Sequence, residues 1–182
     1  MSLPTKVEAE GNSLVFPNEK QQARFEVGLS SAIFLWDELT TAVDNNWGGA
    51  DSAEKREWLV GTVIDLFNER VVEAEDIEYR LLGVMEDEFD AVLETDGAFK
   101  VAQTILSLYV ECLEENYAQV DALYNKFMAS RNAEKVKVQV EDSDDEDGSA
   151  SDEDEMDVDE TPKQEPVIDE DGFELVQPRR RR

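Results

Sequence analysis

Apolar side chains recur every three or four positions along most of the first 131 residues. Phe25, Leu29, Ala32, Trp36, Leu39 and Val43 follow one another at spacings of 4, 3, 4, 3 and 4, which sets them on one face of a helix. Ile33 and Leu35 widen that face, and Asn18, just after Pro17, is the candidate cap. The pattern predicts a helix of about seven turns ending near Asn45. Gly48 and Gly49 interrupt it. Beyond them Asp51 and Glu54 have the spacing of a capping box, in which side chains satisfy the first free N–H groups of a new helix. A second helix is predicted from about Ser52 to Val72. Its apolar surface is broad, with Trp58, Leu59, Val60, Val63, Ile64, Leu66, Phe67 and Val71.

A third pattern runs from about Glu75 to Glu94 through Ile77, Leu81, Val84, Met85, Phe89 and Val92. Gly83 lowers its helix propensity by about 1 kcal/mol relative to Ala and marks a candidate kink or split. Gly97 is placed as a left-handed cap closing it. The longest pattern, from about Phe99 to Arg131, carries Val101, Ile105, Leu108, Tyr109, Cys112, Leu113, Val120, Leu123 and Phe127. No stretch before residue 135 sustains the two-residue alternation of a strand. The expected fold is therefore all-α, a compact bundle of about four to five helices over residues 18–134. Residues 1–17, polar and aperiodic with Pro4 and Gly11, are expected to be a flexible lead-in. "VKVQV" at 136–140 alternates but has no partner strand, so it is read as an extended linker opening a segment over 135–182.

Charge changes this picture from a plain bundle to one with a preferred kind of partner. The chain has 45 acidic and 17 basic side chains and no histidine, a formal net charge of -28. Residues 141–182 hold 18 of the acids and 5 of the bases, leaving 27 and 12 for the rest. Such a field repels phosphate backbones, so direct nucleic-acid binding is disfavoured and a basic protein is the natural partner. Without histidine, Ser-His and Cys-His nucleophile activation is excluded, and the abundance of carboxylates makes any pair of them uninformative. No enzyme is expected, and neither a cofactor nor a metal. Cys112 has no second cysteine to pair with, which fits a reducing compartment. No apolar run is long enough to span a membrane, and "MSLPTKVEAEGNS" lacks the basic and apolar regions of a signal peptide. A soluble intracellular protein without membrane contact is expected.

From Glu141 to Glu160 the chain holds thirteen acids and no base. Such a segment repels itself and buries nothing, so disorder is expected. Asp142, Asp144, Asp145, Glu146, Asp147, Asp152, Glu153, Asp154 and Glu155 are candidate contacts to a basic client, standing in for phosphate. Ser143, Asp145, Asp147, Gly148 and Asp154 fall at EF-hand offsets, but Ser143 at the first position and Asp154 at the twelfth break that pattern. Ser143, Ser149 and Ser151 each have an acid three residues on, the pattern read by acidophilic kinases, though any serine in an acidic run matches it. Phe173, beside Asp171 in "DEDGFELV", is an aromatic without a core to join and so a candidate anchor of a short linear motif over 167–176. Arg179–Arg182 end the chain, as an import signal, a clamp on the acidic run, or neither. On the body, Glu69, Glu73, Glu75, Asp76, Glu78, Glu86, Asp87 and Glu88 cluster around the connection between the second and third helices and form the candidate client face.

"NNWGGADSAEKREWLVGTVIDLF", residues 45–67, resembles the signature of the WGG-domain pre-rRNA-processing family, the "twenty S rRNA accumulation" escort proteins. Phe25, Gly28 and Leu29 match its first-helix pattern, and "DGFELV" after an acidic run matches its tail, with Phe173 where Trp is frequent. The resemblance spans about residues 20–131 and 141–176. It implies a chaperone that receives a basic small-subunit ribosomal protein, the twenty-sixth of the eukaryotic series, after nuclear import. Such a chaperone keeps its client soluble and delivers it to the pre-ribosome, supporting 18S rRNA maturation. It implies contact with an import receptor during hand-over and residence in nucleus and cytoplasm. A histone chaperone, or a helical adaptor with a solubilising tail, has the same composition and differs in its client. Trp47, Gly48, Gly49 and Trp58 carry the family motif, yet their chemistry is structural: glycines for a turn with positive φ, and tryptophans to pack, Trp47 capping the core.

Overall fold

The computed structural model describes residues 3–141, with side-chain surroundings for residues 3–133. Six α-helices make up most of the described chain: α1 (Glu19–Phe34), α2 (Asp37–Asp44), α3 (Ser52–Ile64), α4 (Ala74–Phe89), α5 (Gly97–Leu113) and α6 (Ala118–Glu141). A 3-10 turn at Asp65–Asn68 follows α3, and two short strands, β1 (Lys6–Glu8) and β2 (Val71–Glu73), complete the set. α1 packs against α3, α5 and α6, while α4 packs against α3 and α5. The fold is the expected all-α bundle, more finely divided than the periodicity indicates. No helix among the described residues is long and apolar enough to cross a membrane.

The predicted seven-turn helix is broken at Leu35 and Trp36. Leu35 N–H still donates to Ser31 O at 3.0 Å, but Trp36 N–H turns to Ile33 O at 3.1 Å and Trp36 adopts an extended ψ of 115°. Thr40 N–H donates to Trp36 O at 2.9 Å to start the next helix, and the Thr40 hydroxyl shares its proton between Phe34 O (3.2 Å), a carbonyl at the break, and Trp36 O (3.0 Å). A straight helix of that length would run about 40 Å and leave the core behind. The break instead returns Trp36, Leu39 and Ala42 to it, all buried. The last predicted helix is likewise two. Glu115 at φ 57° ends α5, Asn116 Oδ1 accepts from Ala118 N–H at 3.2 Å to start α6, and Val120 is turned into the core.

Within the lead-in, expected to be flexible over residues 1–17, the described residues 3–17 pack against the body. β1 pairs antiparallel with β2, Val7 opposite Val72. Leu14 N–H donates to Phe67 O and Glu69 O (3.1 and 2.9 Å), and Val7, Leu14 and Phe16 are buried. Phe16 joins an aromatic cluster with Phe25, Phe67 and Tyr109, its ring 5.8 Å from Phe25 and 4.7 Å from Tyr109. Three apolar side chains in a polar lead-in make too weak a pattern to register as an element, yet they find partners far along the chain, Val7 at Val72, Leu14 at Phe67 and Phe16 at Tyr109. The same pairing corrects the second helix, which stops at Ile64 because Val71–Glu73 is recruited as a strand.

Other boundaries shift for local reasons. Asp51 makes no side-chain cap bond; the capping box is at the start of α4, where Glu73 and Asp76 cap each other. α4 is continuous through Gly83 and ends at Asp90, a left-handed residue at φ 52°, with Ala91 N–H donating to Met85 O at 3.0 Å. Gly97 is therefore not a cap but the first residue of α5, where the Glu38 carboxylate lies against it and accepts from Thr95 Oγ1 at 2.7 Å. "VKVQV" continues α6 instead of forming an extended linker. With no strand to pair with, each residue added to an existing helix gains a hydrogen bond at little nucleation cost.

Candidate functional site

The Trp-Gly-Gly turn forms from the end of α2. Asn46 takes φ 52°, Asn46 N–H donates to Val43 O and Trp47 N–H to Ala42 O, the pair of bonds of a Schellman stop. Gly49 then takes φ 82°, and its carbonyl accepts from the Ser52 hydroxyl at 2.7 Å, starting α3. Gly48 is needed for close approach instead, because a Cβ there would lie 3.0 Å from Glu88 O and 3.1 Å from the Phe89 ring. The turn thus lies directly on the end of α4, and Lys55 reinforces the junction, its Nζ 3.0 Å from Glu88 Oε2 and 3.2 Å from Glu88 O. Trp47 does not cap the core; it is 49% exposed, and the buried tryptophan is Trp36.

Trp58 is also outside the core, 55% exposed on α3. It forms one wall of a groove of about 860 Å³ with Leu66 from the 3-10 turn. The opposite wall is one face of α4, on which Asp76, Tyr79, Arg80, Gly83 and Asp87 stand at helical spacings. Glu69, Arg70, Val71 and Val72 close the end. Tyr79 is 77% exposed, among the most exposed large side chains described.

Of the eight carboxylates assigned to a client face, Glu69, Asp76 and Asp87 line this groove. Asp76 Oδ2 also accepts from Glu73 N–H at 2.9 Å. Glu73 and Glu88 are engaged elsewhere, Glu73 with Lys6 at 3.7 Å and Glu88 with Lys55. Glu75 and Glu86 are exposed and Glu78 is half-buried, all three outside the groove. The groove's two cations are held: Arg70 by Glu8 at 3.2 Å, and Arg80 by Thr62 O, to which it donates at 3.3 Å. Asp142, Asp144, Asp145, Glu146, Asp147, Asp152, Glu153, Asp154, Glu155, Asp171, Phe173, the three serines Ser143, Ser149 and Ser151, and Arg179–Arg182 lie outside the described residues.

The groove's aromatic character does not follow from the sequence reading, although a signal for it is present. Tyr79 falls off the stripe of Ile77, Leu81, Val84 and Met85 and onto the polar face of α4. Trp58 is masked by the broad apolar surface of its helix. Cys112, by contrast, is fully buried, and burial first, then the Glu111 charge, pushes its thiol up to about 11 against the lowering effect of Arg24. A thiol so placed is inert at neutral pH.

The family model described as "WGG: Pre-rRNA-processing protein TSR2" matches residues 25–103, a span that includes the turn and every groove residue. The Saccharomyces cerevisiae pre-rRNA-processing protein TSR2 is 51% identical over 93% of this chain and 90% of its own. The chain belongs to the TSR2 family. Membership places it among the factors of rRNA processing and ribosome biogenesis. The human TSR2 homolog is 34% identical over 50% of this chain and 48% of its own. The solution NMR structure of yeast TSR2(1-152) superposes with a TM-score of 0.68 at 46% identity, covering 71% of this chain and 85% of that one. The helical bundle is thus the TSR2 fold.

Proposed function

We propose that this protein is a non-enzymatic escort for a basic ribosomal protein of the small subunit, the twenty-sixth of the eukaryotic series. It takes the client from its import receptor, keeps it soluble between nucleus and cytoplasm, and delivers it to the pre-ribosome, which supports 18S rRNA maturation. The observation that carries this reading is the uncompensated acidity of the folded body. Among the described residues, ion pairs engage only Glu8, Glu73, Glu88 and Asp121. The remaining carboxylates form a field that attracts a cationic client and speeds encounter. The acidic run after residue 141 extends that field and adds avidity through a second set of contacts.

Affinity for the purified ribosomal protein, measured at two salt concentrations for the full chain and for a chain ending at Val140, tests the proposal. The full chain is expected to bind more tightly and with the steeper salt dependence. Equal affinity and equal slope would remove the acidic run from the mechanism, and no binding by either would sink the escort function.

A further inference from the structure

β1 and β2 make a sheet of two strands, so β2 has one edge without a neighbour among the described residues. In the register that pairs Val7 with Val72, the flanking bonds run from Ala9 N–H to Arg70 O (2.9 Å) and from Ala74 N–H to Thr5 O (2.8 Å). Backbone groups alternate in direction along an antiparallel strand, so Arg70, Val72 and Ala74 direct theirs toward β1, and Val71 and Glu73 direct theirs away. The Glu73 N–H is taken by Asp76. Val71 is left with a donor and an acceptor on the outer edge that have no partner among the described residues, an arrangement that invites a further strand. That edge faces the groove: Val71 lines it, and none of its lining residues belongs to β1.

We propose that the groove takes an extended cationic segment of a basic protein, which adds to the outer edge of β2 as a third strand through the Val71 N–H and C=O. The escort reading supplies the basic client on which this inference rests; the manner of binding is what it adds. Strand addition draws affinity from the backbone and specificity from alternate side chains, which point to opposite sides. Toward the groove those side chains meet carboxylates and an aromatic. Glu69 and Asp87 have no ion-pair partner among the described residues, and the exposed Trp58 ring accepts a guanidinium on its face or the aliphatic stem of a lysine. Gly83, where an added Cβ would meet nothing within 4 Å, leaves the α4 wall open. A helical ligand would leave the Val71 groups unpaired, which is why an extended one is favoured.

The test combines calorimetric titration of the full chain with a short blocked peptide of alternating arginine and valine, and amide hydrogen exchange of the complex. The Val71 amide is expected to exchange about tenfold or more slowly with peptide present. Val71→Pro deletes the outward N–H at a position where an edge strand accepts proline, and is expected to weaken the peptide by about tenfold. Val71→Thr keeps the N–H and the shape, and should stay within about twofold. Gly83→Leu fills the groove from α4 and should match Val71→Pro; if Val71→Pro fails to fold, Gly83→Leu and the exchange at Val71 in the parent chain decide. No peptide binding, equal affinity of parent and both blocking variants, or binding with unchanged exchange at Val71 overturns the edge pairing. A ribosomal protein that binds parent and blocking variants alike would also remove the edge pairing while leaving the escort function in place. A chain that takes the peptide at Val71 but ignores the ribosomal protein would remove the escort function instead.

Discussion

At Gly48 and Gly49 two adjacent residues of one type are required for different reasons, and their variants should separate. Gly49→Ala forces a side chain into a left-handed conformation and is expected to cost about 1–2 kcal/mol. Gly48→Ala brings a methyl group to 3.0 Å from a backbone carbonyl and 3.1 Å from a ring, so both must shift, and is expected to cost about 1–3 kcal/mol. Denaturant midpoints measure both. If Gly49→Ala kept its midpoint and lost the ribosomal protein, the turn itself would be part of the binding surface. Glu115 predicts the opposite sign. It occupies a left-handed position at the C-terminal end of α5, where its conformation and its charge against the helix dipole are both unfavourable. Glu115→Gly should raise stability by about 0.5–1 kcal/mol in the same measurement.

At the scale of elements, the helical stripes are legible in the sequence and their ends are not. Phe25, Leu29, Leu39, Leu59, Val63, Ile77, Leu81 and Ile105 are all buried as their periodicity requires. The stops at α2, α4 and α5, however, use Asn46, Asp90 and Glu115 in left-handed positions. A search for glycine therefore passes over all three and settles on Gly97, which begins a helix. Gly83 lies within continuous helix with space around it, so Gly83→Ala should add roughly 0.5–1 kcal/mol by propensity alone. The lead-in gives the sharpest contrast between composition and packing. Phe16 is 5% exposed within an aromatic cluster, and Phe16→Ala is expected to cost about 3–5 kcal/mol, a loss impossible for a flexible arm. Thermal or denaturant unfolding checks it.

Across the whole molecule, charge is readable at once and its placement only in part. The excess of acid over base is plain without any coordinates, whereas the groove between α3, α4 and β2 depends on helices meeting. Burial also couples stability to alkaline pH. The Cys112 thiol is raised from its ordinary 9.0 to about 11, and Tyr109 is raised from 10.0 by burial. The unfolded chain then loses its proton first as pH rises, so stability is intact below 9 and falls as pH climbs toward 11. The slope from Cys112 is at most about 1.4 kcal/mol per pH unit. Midpoints taken across that window for the parent and Cys112→Ala should show a shallower decline in the variant.

The sequence alone determined the helical class, the turn at Gly49, the inward faces of the long helices and the sign of the surface, because periodicity, φ preference and net charge are properties of neighbours along the chain. Tertiary structure decided where the long stripes break, that residues 6–16 belong to the body, and that Trp58 and Tyr79 face outward beside an unpaired strand edge. Those features rest on contacts between residues far apart in the chain, such as Val7 with Val72 and Phe16 with Tyr109, whose energy appears only when both partners are in place.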